Sequence, residues 1–185
     1  IIGLCCFFLF SSFTWRTYLS YDSPQEIVQA NATLFYVRAS NSLYSYDTKD
    51  QSVRTFDKVN GLSDCNITHI AYNKTAHRLV VAYENQNIDL VNDAGQVTNV
   101  SAYYNTSTTD NKTINSLYAY NRYVFMATAF GIVKLNAAEA EVSDTYKLGF
   151  SVDYCYVRDG QIYAASKAVG IYSAPLTANL ADRNQ

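Results

Sequence analysis

Two histidines are the first residues that could hold a metal or move a proton. His69 and His77 stand eight apart with no cysteine or carboxylate at ligand spacing. A zinc centre needs several such donors converging on one point, so no metal site is expected here. The 16 acidic residues are dispersed, and no pair presents itself as the two carboxylates of glycoside hydrolysis. No G-x-S-x-G, P-loop, GxGxxG or H-E-x-x-H occurs, so neither a catalytic residue nor a cofactor is expected. Asn92-Asp93-Ala94-Gly95 and Asp159-Gly160 have the residue types of ion-binding loops, but each sits between apolar runs and reads as a hairpin turn. N-x-[ST] sequons occur, among them those that begin at Asn31, Asn66, Asn73, Asn105 and Asn111, as expected by chance in a chain this rich in Asn and Thr. What remains is recognition by surface. Tyr103 and Tyr104 precede the polar stretch NTSTTDNKT (105–113), and protruding loops of that kind commonly contact partners. Asp64, in a turn-rich segment, is the third expected binding residue. A net charge of −2 and a pI near 5.6 leave no basic patch for nucleic acid.

The elements that must position these residues form a repeat. Four ten-residue segments share one plan: LFYVRASNSL (34–43), LVVAYENQNI (79–88), YVFMATAFGI (123–132) and IYAASKAVGI (162–171). Their closing residues, Leu43, Ile88, Ile132 and Ile171, lie 45, 44 and 39 residues apart, the spacing of four-stranded propeller blades and too long for a leucine-rich solenoid. Turn-forming Ser42, Asn87, Gly131 or Gly170 precedes each of them, as a tight reversal requires. Upstream, apolar pairs three apart recur as Ile27/Ala30, Ile67/Ile70, Ile114/Leu117 and Val152/Cys155. Downstream, Val53, Val97 and Val142 mark an outer strand, which the last unit lacks. LVVAY, YVFMA and IYAA are apolar at consecutive positions, which means that both faces of the strand are covered.

The expected fold is therefore all-β: a β-propeller of four-stranded antiparallel blades over 15–185, with repeat units near 27–60, 67–100, 114–146 and 152–185. Propellers have four to eight blades, and this arc reads as an incomplete part of a larger ring of six to eight. The segment KVNGLSDCNITHIAYN (58–73) is the seam between the first two blades. Asn60-Gly61 reverses the chain, Leu62 plugs between blades, and Ser63-Asp64 supply side-chain oxygens to nearby backbone N–H groups. Cys65 and Cys155 fall in different blades, so the register forbids a disulfide between them. Residues 1–14, IIGLCCFFLFSSFT, have the length and composition of a signal-peptide remnant and are short for a membrane span. Export follows from that reading.

A family resemblance adds to this. WRTYLSY (15–21), NGLSDCNITHIAYN (60–73), NIDL (87–90), FGIVKLN (130–136) and DTYKLG (144–149) together resemble the N-terminal propeller of the PorZ-type accessory proteins of type IX secretion. The resemblance covers residues 15–175. It implies a non-catalytic scaffold at the outer face of a Gram-negative outer membrane. Its implied partners are secretion-complex proteins, a sortase-like one included, and lipopolysaccharide. The N-G-L-S-D seam is also similar to that of periplasmic sensor propellers of hybrid two-component regulators, the alternative reading. Those carry a Trp in the second strand of each blade, where this chain has LVVAY, YVFMA and IYAA.

Overall fold

The computed structural model describes residues 22–178 and 180; residues 1–14 and the WRTYLSY string lie outside that range. The first blade is formed by β1 (Pro24–Gln29), β2 (Leu34–Ala39), β3 (Ser42–Asp47) and β4 (Ser52–Phe56). The second comprises β5 (Ile67–Asn73), β6 (Arg78–Tyr83), β7 (Ile88–Asn92) and β8 (Val97–Asn99). A four-residue helix, α1 (Ala102–Asn105), follows and leads into the third: β9 (Ile114–Tyr120), β10 (Tyr123–Thr128), β11 (Gly131–Asn136) and β12 (Glu141–Lys147). The fourth has three described strands, β13 (Tyr154–Arg158), β14 (Gln161–Ser166) and β15 (Gly170–Pro175). Each sheet is an antiparallel meander in chain order, and the blades stand in an open arc rather than a closed ring.

The continuous apolar runs are explained by the pleat, which sends alternate side chains to opposite faces. In β6, Leu79, Val81 and Tyr83 pack towards blade one with Tyr36, Leu43, Phe56, Leu62, Ile67 and Ile70. Val80 and Ala82 pack towards blade three with Ile88, Leu90, Val124 and Met126. In β10, Phe125 and Ala127 turn the other way, to Cys155, Val157, Ile162 and Ala164 of blade four. Three interfaces thus absorb every apolar residue of β6 and β10. Each large aliphatic side chain so buried contributes roughly 1.5–3 kcal/mol.

Inner strands begin with a shared irregularity. The register slips between Pro24 and Glu26, between Ile67 and His69, and opposite Ala127/Thr128, so Gln25, Thr68 and Asn115 bulge out of the ladder. Bulges re-aim side chains, and here they tie neighbours together. Asn115 Nδ2 donates to the Val152 carbonyl of the next seam at 2.7 Å, and Thr68 Oγ1 to the Ala82 carbonyl at 3.2 Å.

Three details depart from the sequence reading. Ile27, rather than Ala30, occupies the column of Ile70, Leu117 and Cys155, because it pairs with Val37 as those pair with Val81, Met126 and Ala164. Pro24 takes the place of Ile67, while Ala30 lies past the strand end, where Asn31 Oδ1 caps the turn. The positive φ of the first two central hairpins falls on Ser40, Asn41 and Gln86 rather than on Ser42 and Asn87. Finally, Leu43, Ile88 and Ile132 are buried, whereas Ile171 is 75% exposed. Ile171 keeps the same ladder position, opposite Ala165, but no described blade covers its face.

Cys65 is exposed and Cys155 buried, and both are free thiols. Burial pushes the Cys155 thiol up to about 12, which leaves almost no thiolate at neutral pH. Alkylation of the native protein should therefore modify the Cys65 peptide and spare the Cys155 peptide until denaturant is added. Equal native labelling by peptide mass mapping would contradict this burial.

Candidate binding surface

The seams and the central hairpins gather at one end of the blades, as their backbone hydrogen bonds show. Ile67 N–H donates to the Asn41 carbonyl, Glu84 N–H to Asn66, Ala129 N–H to Thr113, and Val152 N–H to Thr128. Asp64 and the 101–113 insertion therefore stand on the same rim.

Asp64 is half-buried and fully engaged within the chain. Its carboxylate accepts the Cys65 N–H at 3.0 Å and an amide proton of Asn85, so it ties the seam to the hairpin that follows β6. Burial opposes its ionisation, but the Asn85 and Cys65 hydrogen bonds outweigh that and hold it below the usual carboxylate range. Asp57 closes the turn before it, accepting the Asn60 N–H at 2.9 Å. Ser63 differs from expectation. Its backbone N–H, not its hydroxyl, makes the fixing bond, at 2.7 Å to Asp89 Oδ2.

Asp89 is fully buried and was not singled out in the sequence, where it reads as an ordinary polar position of a strand. Besides Ser63, its carboxylate accepts the Tyr83 hydroxyl at 2.6 Å and the Asn99 side-chain amide at 2.8 Å. Burial and then the Asp89 hydrogen bond push the Tyr83 hydroxyl far above its ordinary range, so it stays a donor. A buried carboxylate with three donors is a structural knot. It binds the first seam to the middle of blade two.

The tyrosine pair divides. Tyr103 is buried, with 4% of its surface exposed, and its hydroxyl donates to the Lys112 carbonyl at 2.7 Å. Tyr104 is 48% exposed. Neighbouring residues in a helical turn point about 100° apart, which is why one tyrosine enters the core and the other faces solvent. Asp110 joins Thr108 and, at 2.7 Å, Lys147 of β12.

The histidines are also accounted for. His77 Nδ1 lies 3.3 Å from Asp93 on the surface. His69 Nδ1 lies 3.0 Å from Glu26, whose other oxygen accepts Arg38 Nε at 3.0 Å and the Ile70 N–H at 2.9 Å. Burial would raise the Glu26 pKa, but the His69 and Arg38 hydrogen bonds and charges outweigh it and hold the carboxyl below the usual range. A carboxyl depressed on folding contributes stability above its unfolded pKa and loses it as pH falls through the folded one. Glu26→Gln should therefore weaken the protein at neutral pH, with the gap to wild type closing below about pH 4. A constant gap in urea melts from pH 7 to pH 3 would refute the link.

A propeller with this seam invites comparison with known proteins. The family described as the N-terminal β-propeller domain of PorZ, of the type IX secretion system, matches residues 35–185. The chain belongs to the PorZ N-terminal β-propeller family. The solved PorZ of Porphyromonas gingivalis, described as an essential bacterial surface component of that system, is 29% identical with a TM-score of 0.81. The match covers 92% of this chain and 23% of that one, so the present sequence spans about a quarter of the solved PorZ. The extracellular domain of the putative one-component system BT4673 from B. thetaiotaomicron is 17% identical with a TM-score of 0.66, over 82% of this chain and 20% of its own. That of the putative hybrid two-component system BT3049 is 18% identical at 0.62, over 94% and 24%. At such identities these two share the PorZ-type fold and no more. No curated protein matches the sequence. Among the described residues no helix is long and apolar enough to cross a membrane.

Proposed function

We propose that this PorZ-type propeller is a non-catalytic scaffold or binding module of an exported protein, acting in the type IX secretion attachment complex at the outer-membrane surface. The carrying observation is the family match over 35–185, reinforced by the 29% identity and TM-score of 0.81 to the surface component from P. gingivalis. The geometry agrees with binding rather than turnover. Asp64, Asp89 and Glu26 each hold backbone or neighbouring side chains, and their hydrogen bonds lock strands and seams in place. Secretion-complex proteins are its proposed partners, with lipopolysaccharide a further ligand.

Deletion of the gene in its own bacterium, complemented by the full-length protein, tests this. Surface display of type IX cargo should fall on deletion and return on complementation. The sensor reading, favoured by the fold shared with BT3049, predicts instead an altered transcript profile with cargo display unchanged.

A further inference from the structure

The seam between blades one and two holds a reactive pair that neither its packing nor its hydrogen bonds use. Asn60-Gly61 is the single Asn-Gly step of the sequence, and both residues are exposed. Asn60 borders an open cleft with Val53, Arg54 and Thr55, so water reaches its side chain. The turn is held by the residues on either side of Gly61. The Asn60 N–H donates to the Asp57 carbonyl at 3.1 Å and to its carboxylate at 2.9 Å, and the Leu62 N–H donates to the same carbonyl at 3.0 Å. Among the described residues, neither the Gly61 N–H nor the Asn60 carboxamide makes a hydrogen bond.

A free backbone nitrogen next to a free carboxamide is a nucleophile beside its electrophile. Once hydroxide takes the Gly61 N–H proton, the nitrogen attacks Asn60 Cγ. An N–Cγ bond forms, the bond from Cγ to the side-chain nitrogen breaks, and ammonia leaves a five-membered succinimide behind. Water then opens the ring at either carbonyl. One opening gives aspartate, and the other gives isoaspartate, in which the chain runs through the former side chain. In sum a water is consumed and an ammonia released, with no change of oxidation state. Glycine favours the attack because no Cβ shields its nitrogen. Asn31 and Asn136, which precede alanines, are held instead. Asn31 Oδ1 accepts the Thr33 and Leu34 N–H groups, each at 2.9 Å, and Asn136 Oδ1 accepts those of Ala138 and Glu139 at 3.1 and 3.3 Å. The isoaspartyl product adds a methylene to the main chain and leaves a carboxylate inside the loop that the Leu62–Asp57 bond closes. Leu62, 4% exposed, packs between the blades with Tyr36, Phe56 and Ile67, and Ser63 after it is fixed to Asp89 at 2.7 Å.

We propose that Asn60-Gly61 is a self-modification site, at which conversion to isoaspartate loosens the join between blades one and two. Ageing the full-length protein in mildly alkaline buffer tests it, with peptide mass mapping and detection of isoaspartate by a carboxyl methyltransferase. The amide-to-acid mass gain is expected first on the peptide containing Asn60, at a rate within about tenfold of that in the isolated peptide KVNGLSD, because an exposed turn needs almost no opening. That rate should rise about tenfold from pH 7 to pH 8, since the attacking nitrogen must lose its proton. Asn60→Ser should abolish the change. In the aged protein the Leu62 and Ser63 amides should exchange hydrogen faster than in fresh protein. Asn60→Asp brings the charge without the added methylene and should keep the fresh-protein exchange. A native rate slower than the stated range, or earlier deamidation at Asn41 or Asn121, would overturn the site. Unchanged Leu62 and Ser63 exchange in the isoaspartyl form would overturn the loosening.

Discussion

Asp89→Ala is expected to remove about 3–5 kcal/mol of stability, a large part of what a domain possesses. The substitution deletes the one acceptor shared by the Ser63 N–H, the Tyr83 hydroxyl and the Asn99 amide. Tyr83 is 1% exposed, so water cannot replace the lost partner without disturbing blade two. An orphaned buried donor costs roughly 1–3 kcal/mol, and Asn99 keeps alternatives in Asn87 and the Ile88 carbonyl. The loss is therefore concentrated on Ser63 and Tyr83. Tyr83→Phe should cost less, about 1–2 kcal/mol, because it removes a donor and leaves two others on the carboxylate. Urea denaturation of the full-length protein measures both. An Asp89→Ala loss below 1 kcal/mol would mean the seam is held by Leu62 packing alone.

The same knot shows where sequence reading succeeds and where it stops. Strand positions were legible because LVVAY and YVFMA have no face free for water, and the period placed Leu43, Ile88 and Ile132 in one buried column. Asp89 was not legible, because its partners Ser63 and Asn99 lie in other elements and only the fold brings them together. Tyr103 and Tyr104 read as one feature until a single helical turn sent them in different directions. The slip of Ile27 into the Ile70 column has a similar origin. A bulge at Gln25 and an Asn31 cap set the first inner strand, and neither leaves an apolar signature. Periodicity reports burial between repeats, whereas polar knots depend on meetings across the chain.

Glycines at the central hairpins give the second large effect, and they separate two causes that usually travel together. Gly131 and Gly170 occupy the same repeat position and both have positive φ, +151° and +92°. Any side chain in such a conformation is strained by about 1–3 kcal/mol. At Gly170 that strain is the whole cost, since a Cβ there would meet nothing within 4 Å. At Gly131 a Cβ would stand 2.0 Å from the Tyr146 carbonyl oxygen and 2.8 Å from the Leu148 nitrogen. Both are backbone atoms, and the Leu148 N–H is already committed to the Phe130 carbonyl at 3.1 Å. The clash can be relieved only by parting β11 from β12, which would open the buried Ile132 and Val133 to water. Gly131→Ala should therefore exceed Gly170→Ala by at least about 2 kcal/mol, among the largest losses a single methyl group can cause. Equal melting temperatures for the two variants would show that β12 yields freely, and that the outer strand contributes little to holding blade three.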